Sequence, residues 1–337
     1  MPLYSTATGI FFAGQGASAV NQGGGGGSIS YLGDRGFHAG GNGSTLNIGY
    51  FDINTSTNTA NFGDMIGAFS MFGGVGDGAR IVTMGGYDNY QSGSKLSERI
   101  QYWASATTGN AGDFGNLTQA KDKTDGCVGD ATRAVVAGGS NQQSGIHVVN
   151  DIDYVTIQTT GDASDFGNLT QARDEIGNTN DATRGVFIGG EISGQVNTID
   201  YITTQTPANA TDFGDTTNSV YGCHSGICAD ETRGLYMGGI TSGNGFAYNT
   251  IEYLTIQTTS NGSDFGDMDN GRSVVSACSN GTTGVIMGGF AYPTGPSTQY
   301  MQKVTIQTTG NATDFGGTIY GSGSHTQDGA GMSGNAA

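Results

Sequence analysis

The chain has 337 residues, of which 62 are glycine and only 4 proline, and acids outnumber bases 29 to 12 for a formal charge of −17. A glycine share well above the usual ~7% without proline excludes collagen-like and proline-rich linker sequences, and so acidic a surface repels phosphate backbones, which argues against nucleic acid as a partner. Near the start the longest apolar run, Ile10-Phe11-Phe12-Ala13, is too short for a secretory core or a membrane span and follows no basic segment, so the expectation is a soluble, unprocessed chain with no membrane insertion.

A chain this long fits two ordinary domains or one large all-β domain. Thr/Asn/Ser/Gly clusters alternating with short β-branched and aromatic runs select the second. In chain order, Gly9-Ile10-Phe11-Phe12-Ala13-Gly14 reads as a short strand and Gly23 to Gly27 as a flexible link. From Ile29 onward one unit recurs. Asn61-Phe62-Gly63 is followed by Asp113-Phe114-Gly115, Asp165-Phe166-Gly167, Asp212-Phe213-Gly214, Asp264-Phe265-Gly266 and Asp314-Phe315-Gly316, with the phenylalanines 52, 52, 47, 52 and 50 residues apart. Asp-Phe-Gly is also the magnesium-binding triplet of protein kinases, but a kinase needs a strand lysine and an HRD loop besides, and neither is present. A catalytic triplet is used once, so this one is architecture. A glycine pair recurs in the same register at 40/41, 85/86, Gly138-Gly139, Gly189-Gly190, Gly238-Gly239 and Gly288-Gly289.

Residues 168–214 display a full unit. TRGVFIGG predicts a buried strand ending at the diglycine, NTIDYITTQT a period-2 strand carrying Tyr201, and ATDFG a further short extended piece. Tyr102, Tyr154 and Tyr253 hold the place of Tyr201 in the other units. Diglycine permits positive φ and close backbone approach, while Tyr and Phe offer large apolar area to a neighbouring unit. The Asp before each Phe suits an Asx-type turn. Asp77, Asp130, Asp181 and Asp230 each precede an arginine by three residues (Arg80, Arg133, Arg184, Arg233), which frames a structural hairpin turn.

A period near 50 with a diglycine ending one strand and a tyrosine in the next resembles the kelch repeat, with Arg173 and Arg272 matching its arginine. The kelch tryptophan is replaced by the Phe of the triplet, and the single tryptophan, Trp103, lies elsewhere. The resemblance implies an all-β, kelch-like β-propeller occupying 1–337 as one domain, with repeats at about 28–64, 65–115, 116–167, 168–214, 215–266 and 267–316. Thr318-Ile319-Tyr320-Gly321 and the Gly9–Gly14 strand are left over. The expectation is that they pair into a seventh blade built from 317–337 plus 1–27, six blades being the alternative.

Reactive chemistry is sparse. Cys127, Cys228 and Cys278 fall at corresponding places in their repeats and read, with Cys223, as small buried side chains. Pairing of Cys223 with Cys228 across a hairpin, or a metal site with His224, are the weaker readings. His38, His147, His224 and His325 sit at different phases of the repeat. No P-loop, GxSxG elbow or HExxH occurs, so no catalytic residue, no cofactor and no metal ligand is assigned. Calcium is kept as the one candidate ion, through acid clusters such as Asp162/Asp165. The sequons at Asn116, Asn168, Asn209, Asn261 and Asn311 are explained by repetition.

The wording of the repeat, TRGVFIGG followed by the NTIDYIT and ATDFG segments, resembles kelch-like repeats in structural proteins of tailed bacteriophages, marine ones especially. That resemblance implies a non-enzymatic virion protein displayed on capsid or tail, located in the virion and oligomeric by virion symmetry. Its partners would be other virion proteins, with host surface glycans as a further candidate. The alternatives are a propeller enzyme, oxidase or glycan-active, and an intracellular kelch-type interaction module.

Overall fold

The computed structural model describes residues 32–41, 46–90, 92, 95–141, 147–240, 246–291, 295, 297–320 and 328–336. Each repeat folds as a four-stranded antiparallel sheet, and the third repeat shows why. Its strands are Cys127–Gly129, Arg133–Ala137, Asp151–Thr156 and Ser164–Asn168, hydrogen-bonded in that order. The second, RAVVA, is a short apolar run with two valines at its centre, buried on both faces after its arginine. The third, DIDYVT, alternates, and the fourth, SDFGN, buries only its phenylalanine. Burial therefore fades from first strand to fourth, as expected when sheets pack face to face around an axis and splay at the rim.

The other sheets repeat this plan. The second comprises Gly73–Gly76, Arg80–Met84, Ser97–Ala104 and Gly112–Lys121, and the fourth Gly177–Asn180, Arg184–Ile188, Val196–Thr203 and Thr211–Val220. The fifth comprises Cys228–Ala229, Arg233–Met237, Thr250–Thr255 and Ser263–Asp267, and the sixth Val275–Ser279, Thr283–Met287, Tyr300–Thr305 and Thr313–Thr318, with the two-residue strand His224–Ser225 added in parallel beside Val275–Ser279. The first sheet takes Arg35–Ala39, Asn47–Asp52 and Ala60–Asp64 from one end of the chain and Ala330–Gly334 from the other, which pairs as its innermost strand with Phe37 opposite Met332. The six innermost strands contact one another in a closed ring. The described residues thus form an all-β, six-bladed β-propeller.

The expected seventh blade is corrected by this closure. Thr318 ends the outermost strand of the sixth blade, and Ala330–Gly334 completes the first blade; Gly9–Gly14 and Gly23–Gly27 lie outside the described residues. The physical reason is an edge. Residues 35–64 supply three strands of a blade, so Arg35–Ala39 needs an inner partner, and in AGMSG every residue but the buried Met332 is small enough to fit close beside the axis.

The Asp-Phe-Gly triplet is a β-bulge. In the fourth blade Ile199 pairs with Gly214 and Asp200 with Asp212, so Phe213 is skipped in the register and turned out of the pleat; the same shift brackets Phe62, Phe114, Phe166 and Phe265. The freed rings enter the space between blades. Phe166 clusters with Phe187 and Ile202 of the next blade, Phe265 with Ile286 and Val304, and Phe315 with Phe51 across the closure. In the first five blades the ring also meets a tyrosine of its own blade edge-on, as Tyr50 meets Phe62, Tyr102 meets Phe114, Tyr154 meets Phe166, Tyr201 meets Phe213 and Tyr253 meets Phe265, whereas in the sixth Lys303 stands over Phe315. Gly214 has φ 145°, and a Cβ there would come within 2.5 Å of the Ser260 carbonyl oxygen in the fifth blade.

Candidate binding face and channel mouth

Strand order divides the propeller into two faces. One carries the hairpins joining first to second and third to fourth strands, and it is spent on internal brackets. Asp77, Asp130, Asp181 and Asp230 accept the backbone N–H of the arginine three residues on, closing each hairpin. The arginine stacks on the tyrosine of its own blade and donates to a carbonyl of the next: Arg80 to Ile157, Arg133 to Thr204, Arg184 to Ile256 and Arg233 to Ile306. Asn110, Asn209, Asn261 and Asn311 each accept a backbone N–H from the outer strand of the preceding blade, and Asn58 does so for Thr318 across the closure. Asp162 plays this part for Asn116 while Asp165 accepts from Gly167, so both carboxylates of the candidate calcium cluster are engaged in local hydrogen bonds.

The opposite face carries the connections between second and third strands and between blades. Here each diglycine takes φ values between 59 and 118°, Gly138, Gly139, Gly189, Gly190, Gly238, Gly239, Gly288 and Gly289 among them. The second glycine donates to the strand crossing to the next blade, as Gly139 does to Arg173 and Gly239 to Arg272. Arg173 is fully buried, bonded to Gly189 and paired with Asp200 at 2.8 Å, while Arg272 donates to Gly288. All exposed large hydrophobic residues among the described ones, Ile66, Tyr90, Phe246, Tyr300 and Tyr320, lie at this end of their strands. Beside Tyr300, an open groove of about 480 Å³ is lined by uncharged groups including Asn270, Ser297, Gln299 and Thr318.

At the axis the same face narrows to a collar. Met71, Lys123, Glu175, Gly222, Val274 and Asp328, one before each inner strand, have φ between 48 and 59°, and they include every non-glycine residue of positive φ among the described ones. Backbone hydrogen bonds link them around the ring: Met71 to Asp328, Thr124 to Met71, Gly222 to Glu175, Val274 to Gly222 and Asp328 to Val274. Left-handed geometry is costly for a side-chain-bearing residue, and surrounding structure has to hold it there.

The collar is also where acids converge. Asp125, Glu175 and Asp328 line a cavity of about 10 Å³, room for one water molecule. Lys123 reaches Glu175 at 2.8 Å and Asp174 at 3.3 Å. Burial pushes the Asp328 and Asp174 carboxyls up to about 7 and Asp122 to about 6, Lys123 opposing the rise in each, and lifts Asp125 well above the usual range. Burial works against the charge on Lys123, yet Glu175 and Asp174 outweigh it and raise the ammonium above its ordinary value. Sequence reading passed over this cluster because its members belong to three stretches of chain. The signal was in the repeat: Lys123 and Glu175 are one 52-residue period apart.

The four thiols are buried and unpaired, including Cys223 and Cys228. Cys228 and Cys278 occupy matching positions, opposite Leu235 and Val285; Cys127 stands opposite Val136, one step earlier, and so faces the other side of its strand. Burial raises the thiols, Cys228 to about 12, leaving poor nucleophiles. His38 is buried and held down to about 4 by that burial.

Face, collar and bracketed rim together define a six-bladed all-β propeller. Models of known protein families give no match to the chain, and curated proteins give none either.

Proposed function

We propose that this chain is a non-enzymatic contact propeller, a kelch-like structural component of a tailed-phage particle displayed on capsid or tail. The observation that carries the contact role is the asymmetry of the faces: one is laced by arginine, glutamine and asparagine brackets between blades, and the other carries the exposed large apolar residues. Exposed apolar groups confined to one face of a scaffold suit protein partners, here other virion proteins. The uncharged groove beside Tyr300 suits a saccharide, whose C–H face stacks on an aromatic ring and whose hydroxyls match amides and hydroxyls, so host glycans are the second partner class. The particle assignment rests on the resemblance of the repeat wording.

The acidic mouth is what favours the enzyme reading, since carboxyls near neutrality are the material of acid–base catalysis. Its size argues against that reading, because a space for one water admits no sugar ring between the acids. Peptide mass spectrometry of purified particles from the source tests the virion role. A fixed, symmetric copy number supports it, and a protein found only free in the lysate overturns it.

A further inference from the structure

The repeat supplies its own control for one corner of the mouth. In five blades the residue before the collar position pairs across strands with the residue after the diglycine: Ser70 with Tyr87, Asp122 with Ser140, Asp174 with Glu191, Tyr221 with Ile240 and Ser273 with Phe290. Four of these pairs contain at most one acid. The fourth blade sets two carboxylates opposite each other and follows them with a third on Glu175, although like charges directly opposed across strands destabilise a sheet.

Asp174 is 4% exposed, and its Oδ1 has no hydrogen-bond partner. One oxygen from each of Asp174, Glu175 and Glu191 lies within 4.8 Å of the others. Lys123 answers part of this charge, reaching Glu175 Oε1 and Asp174 Oδ2 and leaving Asp174 Oδ1 unmatched. Three carboxylates against one ammonium leave an excess of negative charge, and Asp125 and Asp328 add to it across the mouth. Hard carboxylate oxygens at this spacing, with the cluster reaching solvent at Glu191, are the donor set of a hard divalent cation that completes its shell with water.

We propose that Asp174, Glu175 and Glu191 bind one divalent cation of the calcium type, clamping the loop after Gly189-Gly190 to the collar. The reading is independent of the virion role. With few protein ligands, a dissociation constant on the order of 0.1–1 mM is expected.

The test is titration of the chelator-stripped full chain with calcium chloride, followed by calorimetry and thermal unfolding. One equivalent should bind with a rise in Tm, and Glu191→Gln should weaken binding by about tenfold or more while Glu98→Gln, exposed on another blade, leaves it unchanged. Manganese chloride gives a readout that needs no variant: amide signals of Gly190 and Ile192 should broaden, and those of the distant hairpin at Thr132 should not. Absence of saturable calcium binding up to about 20 mM, far above the expected constant, would overturn the proposal, as would undiminished binding by E191Q or broadening elsewhere.

Discussion

The guanidinium of Arg133 lies 4.3 Å from the ring centroid of Tyr154 in its own blade and donates to the Thr204 carbonyl of the next at 3.0 Å. One side chain therefore stiffens a blade and ties it to its neighbour, and the same device recurs around most of the ring. The sixth blade lacks it: Thr283 stands in the arginine's place, and Asn280 bonds instead to Asp34 and Asn54 of the first blade.

Removing one bracket should cost both of its halves. Arg184→Ala, which loses a 4.1 Å stack on Tyr201 and a bond to Ile256, is expected to destabilise by about 1–3 kcal/mol in denaturant unfolding. Arg184→Lys should recover less than half of that, since an ammonium lacks the planar fork. Full recovery by lysine would show that charge alone matters.

The bulge predicts two large effects at adjacent positions. Phe213→Ala empties a buried inter-blade site and should cost about 3–5 kcal/mol. Gly214→Ala should also destabilise, because its Cβ would strike Ser260 in the neighbouring blade and its φ disfavours L side chains. Wild-type stability of G214A would refute the close approach.

The seam between sixth and first blades is closed by strand pairing without an arginine bracket, so it should open first. Hydrogen exchange is expected to be faster in Ala330–Gly334 than in Gly177–Asn180, both of them inner strands. Equal protection would mean that the ring unfolds as one unit.

Glu252, 6% exposed, accepts hydrogen bonds from Tyr236 and Thr217, and burial, with the charge of Asp264 adding, pushes its carboxyl up to about 7. The folded state therefore keeps a proton that the unfolded chain releases near the ordinary glutamate value. Its contribution is full below that value and declines as pH rises toward about 7. Relative to wild type, Glu252→Gln should gain stability between pH 5 and pH 8, measured as the difference of two unfolding curves at each pH. A constant difference across that range would contradict the raised carboxyl.

All four cysteines are buried with free thiols. A thiol reagent should label none of them in the native protein at neutral pH and all 4 in denaturant. Rapid native labelling of any would place it at an opening of the fold.

The all-β class, the repeat and its phenylalanine, tyrosine and diglycine positions were legible in the sequence alone. They depend on short-range properties: alternation along a strand, glycine where φ turns positive, and a spacing that returns to within a few residues. The number of blades was not legible in this way. It depends on which strand occupies the inner edge beside Arg35–Ala39, and pairing with Ala330–Gly334 joins segments from opposite ends of the chain. The acidic collar was hidden for the same reason, since a ring converts equal spacing along the chain into convergence on one axis. Lys123, Glu175 and Asp328 are far apart in sequence and neighbours in space. Local pattern determined what each blade is made of, and closure decided what meets at the centre.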